Sequence, residues 1–383
     1  MADIRIKTDN SQKIFLNKTV YDEALDRIRF VFDEFPNVVV CFSGGKDSTV
    51  CLELSLIVAK EKGRLPLKVA FIDQEAEWQC TINYMKDVMS RADIEPMWFQ
   101  MPIKISNNCS HTELWHYCWK DDEPERWLRE KEDISIKENK YGTDRFTDLF
   151  TKIFAKEFPD TKSAYIGGVR GEESPTRQMA MTTAVTYKYV TWGKVTDKSK
   201  DHYTFYPIYD WSVHDVWKAI GSNEWKYNRL YDYLYQNGRG LYQMRVSNVH
   251  HETAIEDMLF MQEIEKDTWN KITEKIDGAN TVKQLFKFVP KTLPYMFDSW
   301  TEYRDYLLDT LIIDEVKPVF AKKFDYFDRA FYQTPVYEKA MRKCVIALLR
   351  NDYCLTTLNN FQKTPGIFKY NRVRTANGFD DRN

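Results

Sequence analysis

The chain has 383 residues, enough for the cores of two or three domains. Hydrophobic residues make up 43% and charged residues 29%, with 14 Gly and 13 Pro, which excludes disordered and fibrous classes. With 55 basic and 57 acidic residues the net charge is −2, so no overall positive field gathers nucleic acid or anionic membrane, and any basic site is local.

The opening MADIRIKTDN has no apolar signal core, and no stretch reaches the roughly 18 apolar residues of a membrane span, so no membrane partner and a cytoplasmic location are expected. Seven cysteines without a CxxC pair agree with a reducing compartment. Residues 19–35 read as an amphipathic helix, with capping-box spacing of Thr19 and Asp22. Asn37–Phe42 and Leu67–Ile72 are short apolar runs flanking a helical stretch, Ser48–Lys62, which is a βαβ unit. A helix over Cys80–Ala92, a strand over Pro96–Met101 and a strand over Ser163–Val169 continue the alternation. This predicts an α/β fold with a doubly wound, mostly parallel sheet. Residues from about 103 to 162 read as an insertion with helices of its own. Beyond 240 the pattern turns helical, over Glu252–Ile276, Ser299–Ile313 and Val336–Asn351, so the expected division is a nucleotide-binding part, 1–240, and a helical part, 241–383.

Ser43-Gly44-Gly45-Lys46-Asp47-Ser48-Thr49 joins the first strand to the next helix. Two glycines let backbone amides approach an anion, the helix N-terminus adds free donors, and hydroxyls and Lys46 add polar contacts. The stretch is a phosphate cradle, but neither GxxxxGK[ST] nor GxGxxG.

SGGKDS resembles the PP-loop of the adenine nucleotide alpha hydrolase superfamily. Gly168-Val169-Arg170-Gly171-Glu172-Glu173-Ser174-Pro175-Thr176-Arg177 resembles the GxRxxESxxR segment of phosphoadenosine phosphosulfate (PAPS) reductases, and Tyr206-Pro207-Ile208-Tyr209-Asp210-Trp211 with Asp215-Val216-Trp217 resembles their PIxDWxxxDVW segment. The resemblance covers about residues 20–220. It implies an adenine nucleotide, ATP or PAPS, on the loop at Ser43, Gly44, Gly45, Lys46, Asp47, Ser48 and Thr49. Met244-Arg245-Val246-Ser247 and Arg350-Asn351-Asp352-Tyr353 resemble a longer bacterial and phage subgroup, some members of which have ParB-like protein partners.

Asp73 ends the second strand, where open α/β sheets bind ligands, and with Glu75 and Glu77 it is the candidate Mg²⁺ holder. Arg170 and Arg177 follow the fourth strand and suit a phosphate or sulfate, unless Glu173 takes them in an ion-pair network. Glu173 and Ser174 complete the candidate nucleotide contacts. The candidate catalytic residues are Lys46, Asp47, Asp73, Arg170 and Arg177. The reductases' ECGLH segment is absent, no iron–sulfur cluster is expected, and Cys344 and Cys354 read as buried structural thiols. Cys109, His111, His116 and Cys118 do not have a common zinc spacing, and His202 and His214 read as surface residues. Lys363, Lys369, Arg372 and Arg374, among aromatics, read as a solvated tail, with nucleic acid as the alternative. The expected function is ATP cleavage between the α- and β-phosphates, adenylating an acceptor. The alternatives are sulfonucleotide reduction and a catalytically silent nucleotide-binding regulatory or partner-assembly protein.

Overall fold

A computed structural model describes residues 17–173, 177–178, 186–246, 255–281, 290–364, 366–367 and 369–370. Helix α1 (Val20–Glu34) starts at Thr19, whose hydroxyl accepts from the Asp22 amide at 3.1 Å, as the capping spacing predicts. Strand β1 (Asn37–Cys41), helix α2 (Lys46–Glu61), strand β2 (Leu67–Ile72), helix α3 (Gln79–Met89) and strand β3 (Ile94–Phe99) follow. β3 starts two residues earlier than the sequence suggests. Pro96, which lacks an N–H, sits inside it opposite Val69, and β3 tolerates this because it is an edge strand.

The stretch read as a helical insertion opens instead with an antiparallel hairpin, β4 (Ile103–Ser106) and β5 (Trp115–Cys118). Its last part is helix α4 (Phe146–Glu157), which leads into β6 (Ser163–Gly167). Strands β7 (Gly193–Asp197) and β8 (His202–Phe205), too short and polar to register as apolar runs, complete the sheet.

The six-stranded order is β3-β2-β1-β6-β8-β7, parallel throughout except for β7, which runs antiparallel to β8. The chain therefore builds outward from β1 in one direction and resumes at β6 on its other side, so the strand order reverses between β1 and β6. The expected fold class holds. Alternate residues of β1 serve opposite faces: Val38 and Val40 pack with α1, α2 and α3, while Val39 packs with Ala70, Tyr165 and the α4 residues Leu149, Ile153 and Phe154.

Helices α5 (Val213–Ser222) and α6 (Leu230–Gln236) follow the sheet, and Ser212 and Asp215 form a capping box at the start of α5. The span read as one helix from Glu252 is broken into α7 (Ile255–Ile264) and α8 (Lys266–Lys275). Glu265 at the break leaves the helical conformation (φ −132°, ψ 69°), and its carboxylate accepts from the Gln79 and Cys80 amides at 2.6 and 2.9 Å, capping α3. Helices α9 (Trp300–Thr310), α10 (Lys317–Phe331), α11 (Tyr337–Leu349) and α12 (Thr356–Lys363) share a core built on Phe320, Phe327, Phe331 and Leu348. Pro318 lies in the first turn of α10, where its missing N–H costs nothing.

Two other expectations are corrected. His202 is buried, with Nδ1 3.1 Å from Tyr165 Oη and Nε2 3.0 Å from the Phe158 carbonyl, because β8 is interior to the sheet. Cys354 lies beyond the end of α11 and is exposed, unlike Cys344 within it. Arg372 and Arg374 lie outside the described residues. No helix among the described residues is long and apolar enough to cross a membrane.

Candidate nucleotide site

At the reversal between β1 and β6 lies a cavity of about 510 Å³, at the carboxyl ends of the parallel strands. Residues of the 43–49 loop form part of its wall. Gly44 has φ +70°, a conformation that favours glycine, and the Asn228 amide braces its carbonyl at 3.2 Å while also bonding Thr81 Oγ1 at 2.8 Å. Gly45 is the N-cap of α2 and has no side chain to cap it, so the Lys46 amide donates instead to Tyr231 Oη at 2.9 Å. Ser43 and Ser48 line the cavity with their hydroxyls 3.1 Å apart. Thr49 does not. It is fully buried, with its hydroxyl 3.0 Å from both the Gly45 carbonyl and Tyr84 Oη.

A chain of buried charge starts at Lys46 and Asp47, which line the cavity, and runs away from it. Lys46 Nζ meets Asp47 Oδ2 at 3.0 Å, Arg170 Nε donates to Asp47 Oδ1, and Arg170 Nη1 donates to Glu172 Oε2 at 2.8 Å. Glu172 in turn accepts from the Val213 amide at 2.7 Å, tying the chain to the start of α5. Burial pulls the Lys46 ammonium below its ordinary value, and Asp47 works against that shift. Arg170, only 3% exposed, is thus spent on carboxylates and does not face the cavity as the sequence suggests. Arg177 does line the cavity, beside Glu173, with which it pairs. Ser174 lies outside the described residues. Arg245 joins this wall, its Nη2 donating to the Glu173 carbonyl at 3.2 Å. Beyond the Met244–Ser247 likeness no local motif marks it as a site residue, because only the tertiary fold brings it to the loop.

The acidic segment after β2 also departs from expectation. Asp73 is fully buried, and its carboxylate accepts from the Glu75 amide at 2.8 Å, Trp98 Nε1 at 2.8 Å, Gln100 Nε2 at 3.0 Å and Arg129 Nη2. Glu75, equally buried, accepts from the amides of Trp119 and Leu128 and from Lys275 Nζ. Gln74 and Glu77 line the cavity instead. Burial, with Asp73 nearby, pushes the Glu77 carboxyl up to about 8. These donors do not fit a protein-held Mg²⁺, because the acceptor positions of Asp73 and Glu75 are taken by N–H groups and Asp47 is paired with two cations. Among the described residues no group of three or more His, Cys, Asp or Glu side chains is arranged to hold a metal.

The cavity also has an apolar lining. Phe146, Phe150 and Phe154, at helical i, i+4, i+8 spacing on α4, line it together with Ala70, Phe71 and Ile72. Phe154 is anchored by stacking on Tyr165, with centroids 4.1 Å apart. Such aromatic lining suits a flat heterocycle, and the loop suits phosphates. The sequence reading assigned this helix no role. Cys41 is the cysteine on the wall among the described residues, and burial pushes its thiol up to about 12.

A family model for the phosphoadenosine phosphosulfate reductase domain matches residues 37–237. The chain is 28% identical over 280 residues to uncharacterized protein YbdN of Escherichia coli (strain K12), covering 70% of this chain and 68% of that protein. It is 22% identical over 221 residues to sulfate adenylyltransferase subunit 2 of Mycolicibacterium vanbaalenii, covering 55% of this chain and 62% of that one. Among solved structures it is similar to Candida glabrata FMN adenylyltransferase in complex with FMN and the ATP analog AMPCPP, at 17% identity and a TM-score of 0.36, over 58% of this chain and 65% of that chain. The chain thus spans under two thirds of the length of the last two.

Proposed function

Because the chain belongs to the phosphoadenosine phosphosulfate reductase domain family, within the PP-loop superfamily, we propose that it is an adenine-nucleotide enzyme that cleaves ATP between the α- and β-phosphates. It would transfer the adenylyl group to an acceptor and release pyrophosphate. The observation that carries this reading is one cavity whose lining combines the 43–49 loop, Arg177 and Arg245 with the phenylalanines of α4.

On this reading the Ser43 and Ser48 hydroxyls and the loop amides receive the β- and γ-phosphates at the N-terminus of α2, where the helix dipole favours negative charge. Arg177 and Arg245 stabilise the charge that builds on the departing pyrophosphate, and the aromatic wall fixes the base so that the α-phosphorus meets its nucleophile in line. Asp47 and Arg170 hold the loop in shape by their ion pair. Reduction of a sulfonucleotide is the weaker reading. It needs a thiolate, and the thiol on this wall, Cys41, is held protonated by burial.

The test is to incubate the protein separately with ATP and with PAPS plus a thioredoxin system, and to resolve the products. AMP with pyrophosphate supports the proposal. ADP, or sulfite from PAPS, overturns it, and nucleotide bound without turnover identifies a silent binder.

A further inference from the structure

We propose that Lys275, at the end of α8, is a positioning residue for this cavity: by pairing with Glu75 it locks residues 73–77 in the conformation that turns Gln74 and Glu77 toward the nucleotide. The inference rests on reading the cavity as the nucleotide site.

The segment is held against its own preference. Glu75 has φ +64°, a left-handed conformation that a glutamate rarely adopts. What keeps it there is its side chain. The carboxylate is fully buried and accepts from the Trp119 amide, from the Leu128 amide at 2.7 Å and from Lys275 Nζ, 200 residues away. Among these partners only Lys275 carries a full positive charge. A buried carboxylate stripped of its counter-charge either takes up a proton or leaves for water. Departure would release φ at Glu75 and rotate its neighbours, since Asp73 is pinned on one side by Trp98, Gln100 and Arg129 while Glu77 stands on the other. Lys275 is itself well packed, its side chain 10% exposed, and it also lines a separate cavity of about 420 Å³ between the β4–β5 hairpin and the end of α8. The pair therefore joins the helices beyond the sheet to the mouth of the nucleotide cavity.

The experiment compares Lys275→Met, Lys275→Arg and Glu75→Gln in the full chain, by calorimetry with ATP and by hydrogen–deuterium exchange over residues 73–78 and 43–49. Lys275→Met keeps the side chain's bulk without its charge. It is expected to weaken ATP binding about tenfold or more and to speed exchange at 73–78, leaving the 43–49 loop protected. Lys275→Arg should restore binding to within about threefold. If Lys275→Met fails to fold, Glu75→Gln, which keeps one acceptor oxygen for the two amides, is expected to show the same local increase in exchange. A folded Lys275→Met or Glu75→Gln protein with parental ATP affinity and parental exchange at 73–78 overturns the proposal, as does Lys275→Arg behaving like Lys275→Met. A parent that binds no adenine nucleotide defeats the nucleotide reading instead, and exchange at 73–78 still reports whether Lys275 holds the segment.

Discussion

Gly168 and Asp47 meet backbone to backbone: a Cβ on Gly168 would lie 2.6 Å from the Asp47 carbonyl carbon and 2.6 Å from the Ser48 amide nitrogen. The end of β6 thus presses directly on the first turn of α2, and no side chain can yield to relieve a clash. Gly168→Ala is expected to destabilise the fold by at least the 1–3 kcal/mol typical of overpacking and to weaken ATP binding about tenfold, because the loop must move. Denaturant midpoints and calorimetry check both effects. Unchanged values would mean that the two backbones separate without cost.

The two arginines of the Arg170–Arg177 segment should fail differently. Arg170→Met leaves Asp47 without one of its two cations and Glu172 without its guanidinium, so a loss of about 3–5 kcal/mol of stability is expected. Arg170→Lys should recover little of this, since an ammonium cannot bridge both carboxylates as the planar fork does. Arg177→Met and Arg245→Met lie on the exposed wall and should shift stability by about 0.5 kcal/mol or less while reducing ATP affinity roughly 10- to 100-fold. Melting curves paired with binding isotherms separate the two classes.

Glu77 makes stability depend on pH in a defined direction. Its carboxyl titrates near 8 in the folded chain and near the ordinary 4.5 when unfolded. Between those values the folded state holds a proton that the unfolded state has released, so this group's contribution falls as pH rises from about 4.5 and levels off above about 8. Glu77→Gln removes the slope. The variant's advantage over the parent should be small near pH 4.5 and grow to a few kcal/mol at most by pH 8. Denaturation series across that range give the answer, and parallel curves would show that Glu77 is not held neutral.

No cysteine is expected to serve in turnover. Burial raises the Cys344 thiol well above its ordinary value, and Cys344→Ser should cost about 1–3 kcal/mol of stability for the buried hydroxyl with no change in AMP production. Cys354 is exposed and should react first with an aromatic disulfide reagent, at a rate that ATP does not alter. ATP protection of Cys354, or loss of turnover in Cys354→Ser, would draw the site differently.

The parts of the fold written in local pattern were legible in the sequence. The apolar runs of β1 and β2, the capping spacing of Thr19 and the glycines of the 43–49 loop each act within a few residues. What local pattern could not show was which partner a charged side chain takes. Asp73 and Arg170 stand where ligand contacts are expected, yet Trp98, Gln100 and Arg129 claim the first, and Asp47 and Glu172 the second. Arg245 and the phenylalanines of α4 reach the cavity only through the path of the chain. The split at Glu265 was hidden for the same reason, because the amides it caps belong to α3.

The strand order also sets a timetable for synthesis. β1 meets β6 first at Ser163, 126 residues after Asn37, and the phosphate loop waits longer still for Asn228 and Tyr231. At roughly 5–20 residues per second, the second edge of Val38–Val40 remains open on the ribosome for about 6–25 s. An unpaired edge of that composition invites pairing with other chains. Nascent chains arrested before residue 163 should therefore be held by chaperones, and those arrested with residue 231 clear of the exit tunnel should be the first able to acquire a braced phosphate loop.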